Sequence, residues 1–410
     1  MEPKIRITGF SGEWEKKTLS QILTISNEQN KNNLYRKEDV FSVSDEFGVV
    51  NQIKHLGRSY AGKSLTGYKV LRNNQIVYTK SPLRQKPYGI IKVNESGAGI
   101  VSVLYGIYNV SDEVLPKYID RYFEPGYRTN KYLLPLINKG AKNTINISDQ
   151  MATAGEIILP HDKNEQIAIC NYLASIDSLI QLTTKKIESL KQVKAASLQF
   201  MFPQEGETTP RVRFKGFDGE WGAMPLNKFA KRVTRKNKGI ESTLALTISS
   251  IEGLVSQIDY FNNLVVGANI ENYYLLKQGE FAYNKSYSRG YPFGSVKRLD
   301  RYEQGILSTL YIVFSITDEI SSDYLTHFFD TTLWHKQVAE RAEEGARNHG
   351  LLNIGADDFM SININLPKSK DEQQRIADYF TNLDSQITLQ TQHMEKLKQI
   401  KSACLDQMFV

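Results

Sequence analysis

Residues 57 to 64 read GRSYAGKS and satisfy the pattern G-x-x-x-x-G-K-[ST] letter for letter. In that pattern backbone N–H groups and a lysine surround phosphates while the hydroxyl holds Mg2+, and a buried strand and a helix must flank it. Here Gly67 and YKVLRNNQIVYTKS (68–81) follow, which read as a turn and strands, and no second acidic strand for Mg2+ stands out. The stretch is therefore expected to be a basic surface turn. Other chemistry is as sparse. His55, His161, His327, His335, His349 and His393 are scattered, and none sits at zinc spacing with a cysteine. There is no N/D-P-P-Y/F tetrapeptide, no G-x-G-x-x-G after a strand and no P-D…E-x-K set. Asp357–Asp358 and Glu343–Glu344 read as solvated charges. The chain is expected to catalyse nothing by itself and to hold no metal.

A chain of 410 residues is too long for one ordinary core, and 40% hydrophobic residues supply material for at least two. The formal charge of +6 permits a polyanionic partner. Two cysteines, Cys170 and Cys404, are too few for a disulfide framework and point to a reducing cytoplasm, both thiols reading as small buried apolar groups. Neither a signal peptide nor an apolar run long enough for a membrane span is legible.

The chain is written twice. RITGFSGEWEKKTL (6–19) recurs as RFKGFDGEWGAMPL (213–226), with 7 of 14 positions identical at an offset of 207. Residues 158–202 recur as 365–409 at the same offset, with 21 identities in 45. Between these anchors the likeness thins but keeps register: YKVLRNNQIVYTKS (68–81) matches YYLLKQGEFAYNKS (273–286), and GIVSVLY (99–105) matches GILSTLY (305–311). Two copies of one fold with constant ends and divergent middles follow from this.

The constant ends read as long helices. Ile169, Leu173, Ile176, Ile180, Thr183, Ile187 and Leu190 follow the 4-3-4-3 spacing of a coiled-coil seam, as do Ile376, Phe380, Leu383, Ile387, Gln390, Met394 and Leu397. Asn164 and Asp371 are the expected N-caps. Each rod spans roughly 50 Å at about 1.5 Å per residue. The rods either pair with each other or pack each only on its own half; an antiparallel, pseudo-two-fold pair would bring Cys170 near the end that carries Cys404. PQEGETTP (203–210) ends the first rod. The divergent middles alternate short β-branched and aromatic runs with amphipathic stretches, one of them SSDYLTHFFDTTLWHKQVAERAEE (321–344). The expected layout is α+β: mixed α/β domains at 1–157 and 213–364, helices at 158–203 and 365–410, and a linker at 204–212.

The middles carry basic, aromatic loops at matching places, suited to phosphates and base edges. YTKSPLRQKPYGIIK (78–92) offers Lys80, Ser81, Arg84, Lys86 and Tyr88; YNKSYSRGYPFGSVKR (283–298) offers Lys285, Ser286, Tyr287, Arg289 and Tyr291. INKGAKNT (137–144) adds Lys139, Lys142 and Asn143, and EEGARNHG (343–350) adds Arg347, Asn348 and His349. With the GFSGEW/GFDGEW openings, the KNEQ/KDEQ helix starts and the LKQVKAASLQFMF/LKQIKSACLDQMF ends, the whole chain resembles the DNA-specificity subunit of type I restriction–modification enzymes. That resemblance implies two target-recognition domains reading the halves of a bipartite, asymmetric site on double-stranded DNA. It also implies helices that set the gap and dock two methyltransferase subunits, which bring S-adenosylmethionine, and restriction subunits, which use ATP and Mg2+. A self-sufficient DNA methyltransferase or nuclease, and a coiled-coil scaffold without a DNA role, are the alternatives.

Overall fold

The computed structural model describes residues 2–80, 82–83, 85–139, 145–263, 267, 269–288, 290–342 and 352–410, the side chains of 138, 139, 145 and 146 excepted. Two compact units result: residues 1–184 with 392–410, and residues 185–391. The division runs through both long helices, so each unit holds the start of one and the end of the other. Among the described residues no helix is long and apolar enough to cross a membrane.

The first unit begins with β1 (Glu15–Thr18), α1 (Leu19–Ile22), β2 (Leu23–Ile25), β3 (Phe41–Ser44), β4 (Gly48–Asn51) and α2 (Gln52–Leu56). It continues through β5 (Lys69–Leu71), β6 (Ile76–Thr79), β7 (Ile90–Val93), β8 (Gly99–Val101), β9 (Gly106–Val110), α3 (Pro116–Tyr122) and α4 (Gly126–Leu133). Then come β10 (Asn138–Lys139), β11 (Ile145–Asn146), α5 (Asp149–Ala152), β12 (Glu156–Leu159) and α6 (Lys163–Phe200). The second unit repeats the order, without an α-helical counterpart of α1 or a counterpart of β10 and β11 among the described residues. It runs β13 (Gly222–Pro225), β14 (Ala230–Arg232), β15 (Leu246–Ser249), β16 (Gly253–Ser256), α7 (Gln257–Phe261), β17 (Tyr274–Lys277) and β18 (Phe281–Asn284). After these come β19 (Ser295–Arg298), β20 (Gln304–Leu307), β21 (Ile312–Ile316), α8 (Ser322–Phe328), α9 (His335–Arg341), α10 (Ala356–Met360), β22 (Asn363–Leu366) and α11 (Lys370–Gln407).

The sheets are twins. A four-stranded sheet of order β2-β9-β6-β7 in the first unit matches β14-β21-β18-β19 in the second, and the pairs β1-β12, β3-β4 and β5-β8 match β13-β22, β15-β16 and β17-β20. The central strands are apolar throughout because both faces are covered. Ile76 and Tyr78 face one core while Val77 faces another; Phe281 and Tyr283 divide from Ala282 in the same way.

The motifs that opened the repeat are a clamp. Arg6 grips Glu165 at the start of α6 with two hydrogen bonds of 2.8 Å, and donates to Gly12 O at 2.6 Å and Ser11 O at 3.0 Å. Arg213 does the same with Glu372 at 2.7 and 2.8 Å, and with the carbonyls of Gly219 and Asp218. Gln166 accepts from Leu115 N at 2.8 Å and Gln373 from Ser321 N at 2.9 Å, fastening each helix start to its own domain. Bidentate arginine–carboxylate pairs of this geometry are strong and directional. GFxGEW and KxEQ therefore hold a loop, a helix and a domain together.

Ile169, Leu173 and Ile176 are buried in the first core, and Ile376, Phe380 and Leu383 in the second; Ile187 and Leu397 are buried too. Ile180, Leu190, Ile387 and Met394 are half-buried. In the first unit residues 163–184 run antiparallel to 392–407: Tyr172 bonds Cys404, Asp177 Oδ1 lies 2.6 Å from Lys401 Nζ, and Thr184 Oγ1 donates to Met394 Sδ at 3.4 Å. In the second, Lys194 lies 2.7 Å from Asp384 and Ser197 Oγ 2.9 Å from Tyr379 Oη, again antiparallel. The start of each seam thus enters a domain core before it meets helix. Cys170 and Cys404 are free and buried, with burial pushing the Cys170 thiol up to about 12.

Two expectations need correction. The residues that cap are Asp162, whose Oδ1 accepts from Asn164 N at 2.8 Å, and Ser369, whose Oγ accepts from Glu372 N at 3.4 Å; Asn164 and Asp371 lie inside the first turn. The stretch 321–344 is not one helix. Thr331 Oγ1 donates to Phe328 O and the buried Trp334 indole to Phe329 O, so side chains take up the carbonyls at the end of α8 and the chain restarts as α9.

The β6–β7 and β18–β19 hairpins close on Gly89 (φ +93°) and Gly294 (φ +76°), where a Cβ would stand 1.9 Å from Thr79 O or Asn284 O. Gly89→Ala and Gly294→Ala should each cost about 1–3 kcal/mol or more in urea unfolding, since strain adds to a clash with backbone. Gly97→Ala, with positive φ and open space, should cost only about 1–2 kcal/mol.

Candidate nucleic-acid interface

In the first unit, β5 and β9 begin and β6 ends at one edge, where α5 also begins. Lys69 Nζ donates to Asp149 Oδ2 at 3.0 Å and to Tyr105 O at 2.7 Å, and Lys80 Nζ lies 2.9 Å from Asp149 Oδ1. Burial works to raise the Asp149 carboxyl, but hydrogen bonds from Lys80 and Lys69 outweigh it and hold the acid below its usual range. This node brings Lys69, Lys80, Tyr105 and Asp149 to a common edge.

Two of the expected DNA contacts are committed elsewhere. Lys80 is paired with Asp149. Lys86 is only 4% exposed and donates to Asp45 at 2.5 Å and to Glu124 O at 2.9 Å, so its charge pins the hairpin to the domain. Tyr88 is half-buried against the core, and its carbonyl accepts from Tyr78 Oη at 2.7 Å. Ser81, Arg84, Lys142 and Asn143, and the side chain of Lys139, lie outside the described residues.

The second unit leaves its charge open. Position 356, the twin of Asp149, is Ala356. Lys285 Nζ donates to Ile354 O at 3.3 Å, and burial together with the neighbouring Arg232 lowers its pKa. Among the described residues neither Lys285 nor the exposed Arg232 is paired with an acid. The same hairpin carries Ser286, whose N–H donates to Asn284 Oδ1 at 3.0 Å, the exposed Tyr287, and Tyr291, whose N–H donates to Ser288 O at 2.9 Å. Lys285, Ser286, Tyr287 and Tyr291 are thus on one presented hairpin. Arg289, Arg347, Asn348 and His349 lie outside the described residues. Arg232 was not legible as a neighbour of Lys285, since it sits on a strand far upstream, and only the pairing β14-β21-β18 brings it close.

GRSYAGKS is a surface turn. Gly57 (φ +74°) ends α2 in the left-handed region, and no helix follows before β5.

Each unit also has a charged cluster where its two helix segments meet. In the first, Arg121 bridges Glu124 at 2.7 Å and Asp177 at 2.5 Å, and Lys401 contacts both acids. In the second, Asp330 and Asp384 are met by Lys194, and Asp330 by Lys297 at 2.9 Å, while His327 stands where the first unit has Arg121. The ligand atoms of His327, Asp330 and Asp384 lie within 4.8 Å of one another. Two lysines already neutralise the two carboxylates, so the donor set does not fit a resident cation. His327 Nε2 lies 3.1 Å from Thr381 Oγ1, and its Nδ1 is buried without a hydrogen-bond partner.

Two mixed α/β domains of one topology, each presenting loops at an edge and each joined to a long helix, define a duplicated fold. Residues 256–399 match the family described as Type I restriction modification DNA specificity domain. The fold of the full chain is also that of solved subunits of such systems. The S subunit of the type I restriction–modification system from M. genitalium covers 100% of this chain and 99% of its own at TM-score 0.58 and 14% identity. A protein from a study of complex assembly and conformational transition of the type I R-M system covers 97% and 98% at TM-score 0.54 and 11% identity. The HsdS subunit from Thermoanaerobacter tengcongensis covers 97% and 96% at TM-score 0.50 and 12% identity. No curated protein sequence matches the chain.

The second cluster should make stability pH-dependent. Burial lowers the pKa of His327 from its ordinary value near 6.5, so its contribution is present above that pH and is lost as the pH falls below it. Burial pushes the Asp330 carboxyl up, but Lys297 and Lys194 overcome this and hold it at about 2, so its contribution persists to far lower pH. Thermal midpoints between pH 7.5 and 5 should fall in the wild type and fall less in His327→Gln; equal slopes would show that His327 does not titrate there.

Proposed function

We propose that this chain is the non-catalytic DNA-specificity subunit of a type I restriction–modification complex, each domain reading one half of a bipartite target. The observation that carries the reading is one scaffold used twice with different presented chemistry. The β6–β7 hairpin pairs Lys80 and Lys86 with acids of its own domain, whereas the β18–β19 hairpin leaves Lys285 and Arg232 open on the side that carries Tyr287 and Tyr291. Domains so alike in backbone and so unlike at the edge suit two different half-sites. The target is then asymmetric, with an unspecified gap between its specified blocks.

The long helices supply the spacing on this reading. Each has 38 residues, about 57 Å at about 1.5 Å per residue. They also offer outward apolar residues at twin positions, Leu182 with Leu389 and Val193 with Ile400, which support docking of methyltransferase subunits at two equivalent places. Those subunits would bring S-adenosylmethionine and flip the target base. Restriction subunits using ATP and Mg2+ complete the proposed assembly.

Lengthening both helices by seven residues at equivalent positions should widen the gap by about 3 base pairs, roughly 10 Å, and leave both half-sites unchanged. Methylation sequencing of cells carrying the variant with its methyltransferase reads this out; changed half-sites with a constant gap would overturn the spacing role. Arg232→Ala with Lys285→Ala should weaken duplex binding and reduce the slope of log K against log salt by up to about 2. Fluorescence anisotropy across a salt series measures it. A scaffold without a DNA role would show no salt-dependent binding at all.

A further inference from the structure

The turn that imitates a phosphate loop has a use in the first unit. Its backbone is held from both sides. Gln52 Oε1 accepts from Tyr60 N at 2.6 Å and Ser59 Oγ at 3.1 Å, while Gln52 Nε2 donates to Ser42 at 2.9 Å. Tyr68 Oη then accepts from Gly62 N at 3.3 Å. On this fixed base the Arg58 guanidinium lies 4.6 Å over the Tyr60 ring, and both side chains are exposed, as is Lys63. Among the described residues no acid pairs with Arg58 or Lys63. The contrast with Lys80 and Lys86, both consumed by Asp149 and Asp45, is direct.

The turn belongs to the same edge as the hairpin. It leads into β5 at Lys69, which shares Asp149 with Lys80, and Gly67 approaches Val103 in the 102–105 turn. The second unit keeps the scaffold. There Ser256 caps α7 as Asn51 caps α2, and Gly267 N donates to Tyr273 Oη at 3.1 Å as Gly62 N does to Tyr68. On α7 the exposed Ile258, Tyr260 and Phe261 stand where α2 has Ile53, His55 and Leu56. A fixed frame is what a sequence reader needs, and the anchored backbone reduces the entropy lost on contact.

We propose that residues 57–66 form a DNA-reading loop of the first domain, in which Arg58, held flat by Tyr60, contacts a guanine edge and Lys63 a backbone phosphate. A planar guanidinium stacked on an aromatic ring presents two donors in a fixed plane, matching guanine O6 and N7, whereas a lysine serves as a point charge for phosphate. This rests on the DNA-specificity reading above.

The test is selection from random-sequence duplexes by the full-length chain, with its methyltransferase subunit added, followed by anisotropy on the selected duplex. Wild type should enrich two specified blocks. Arg58→Ala should lose discrimination at one position of one block, with about ten-fold or more lower affinity for the preferred duplex. Lys63→Ala should keep the motif, weaken all sequences alike and reduce the salt slope by about 1. Thermal midpoints equal to wild type would exclude a folding cause for either variant. If wild type enriches its blocks and both variants keep motif, affinity and slope, the loop does not read DNA and the domain reading stands. If wild type enriches nothing, both proposals fall.

Discussion

Each unit's core is completed by the end of a helix whose first part belongs to the other unit's residues. In the first unit Met408 and Phe409 are buried, Phe409 packs 5.2 Å from Tyr118, and Arg128 lies 5.1 Å over its ring while donating to Leu405 O at 2.6 Å. In the second, Phe202 is fully buried among Trp221, Tyr324, Phe328 and Phe380. Burying such an aromatic contributes roughly 1.5–3 kcal/mol from area alone. Helix ends normally fray; these cannot without opening a core. The identical MF endings of the repeat are therefore a packing requirement, and they make each domain depend on residues far away in sequence.

Charge is distributed by the same logic. Where the two copies agree, charge is spent internally: Arg6 with Glu165, Arg213 with Glu372, Lys401 and Lys194 with their acid pairs. Where they differ, it is released or retuned. Asp149 gives way to Ala356, freeing Lys285, and Arg121 gives way to His327, replacing a permanent bridge with a titratable ring that lacks a partner on Nδ1. Salt screens the exposed charges far more than the buried ones, so the internal clamps hold under conditions in which contacts to a polyanion weaken.

The duplication, the position of the long helices, the free cysteines and the turn at GRSYAGKS were all legible in residue order, because each depends on local pattern or self-similarity. So was the neighbourhood of Cys170 and Cys404, which follows once two similar helices run antiparallel. The caps were misplaced by two residues, since Asp162 and Ser369 precede the first apolar position by more than the pattern suggests. The broken helix at 321–344 was hidden because no proline or glycine marks it; a buried tryptophan and a threonine hydroxyl interrupt it through contacts that only packing creates.

By itself, the sequence determined that one α+β domain occurs twice, that a long apolar-striped helix follows each copy, and that basic aromatic loops occupy matching places. Periodicity and repetition are properties of the chain, and they survive without coordinates. Only the tertiary structure decided which of those basic side chains are available. Whether a lysine meets an aspartate depends on strands from distant segments being laid side by side, as Lys69, Lys80 and Asp149 are, or Arg232 and Lys285. A charge can be read from its letter, but its partner is set by the fold.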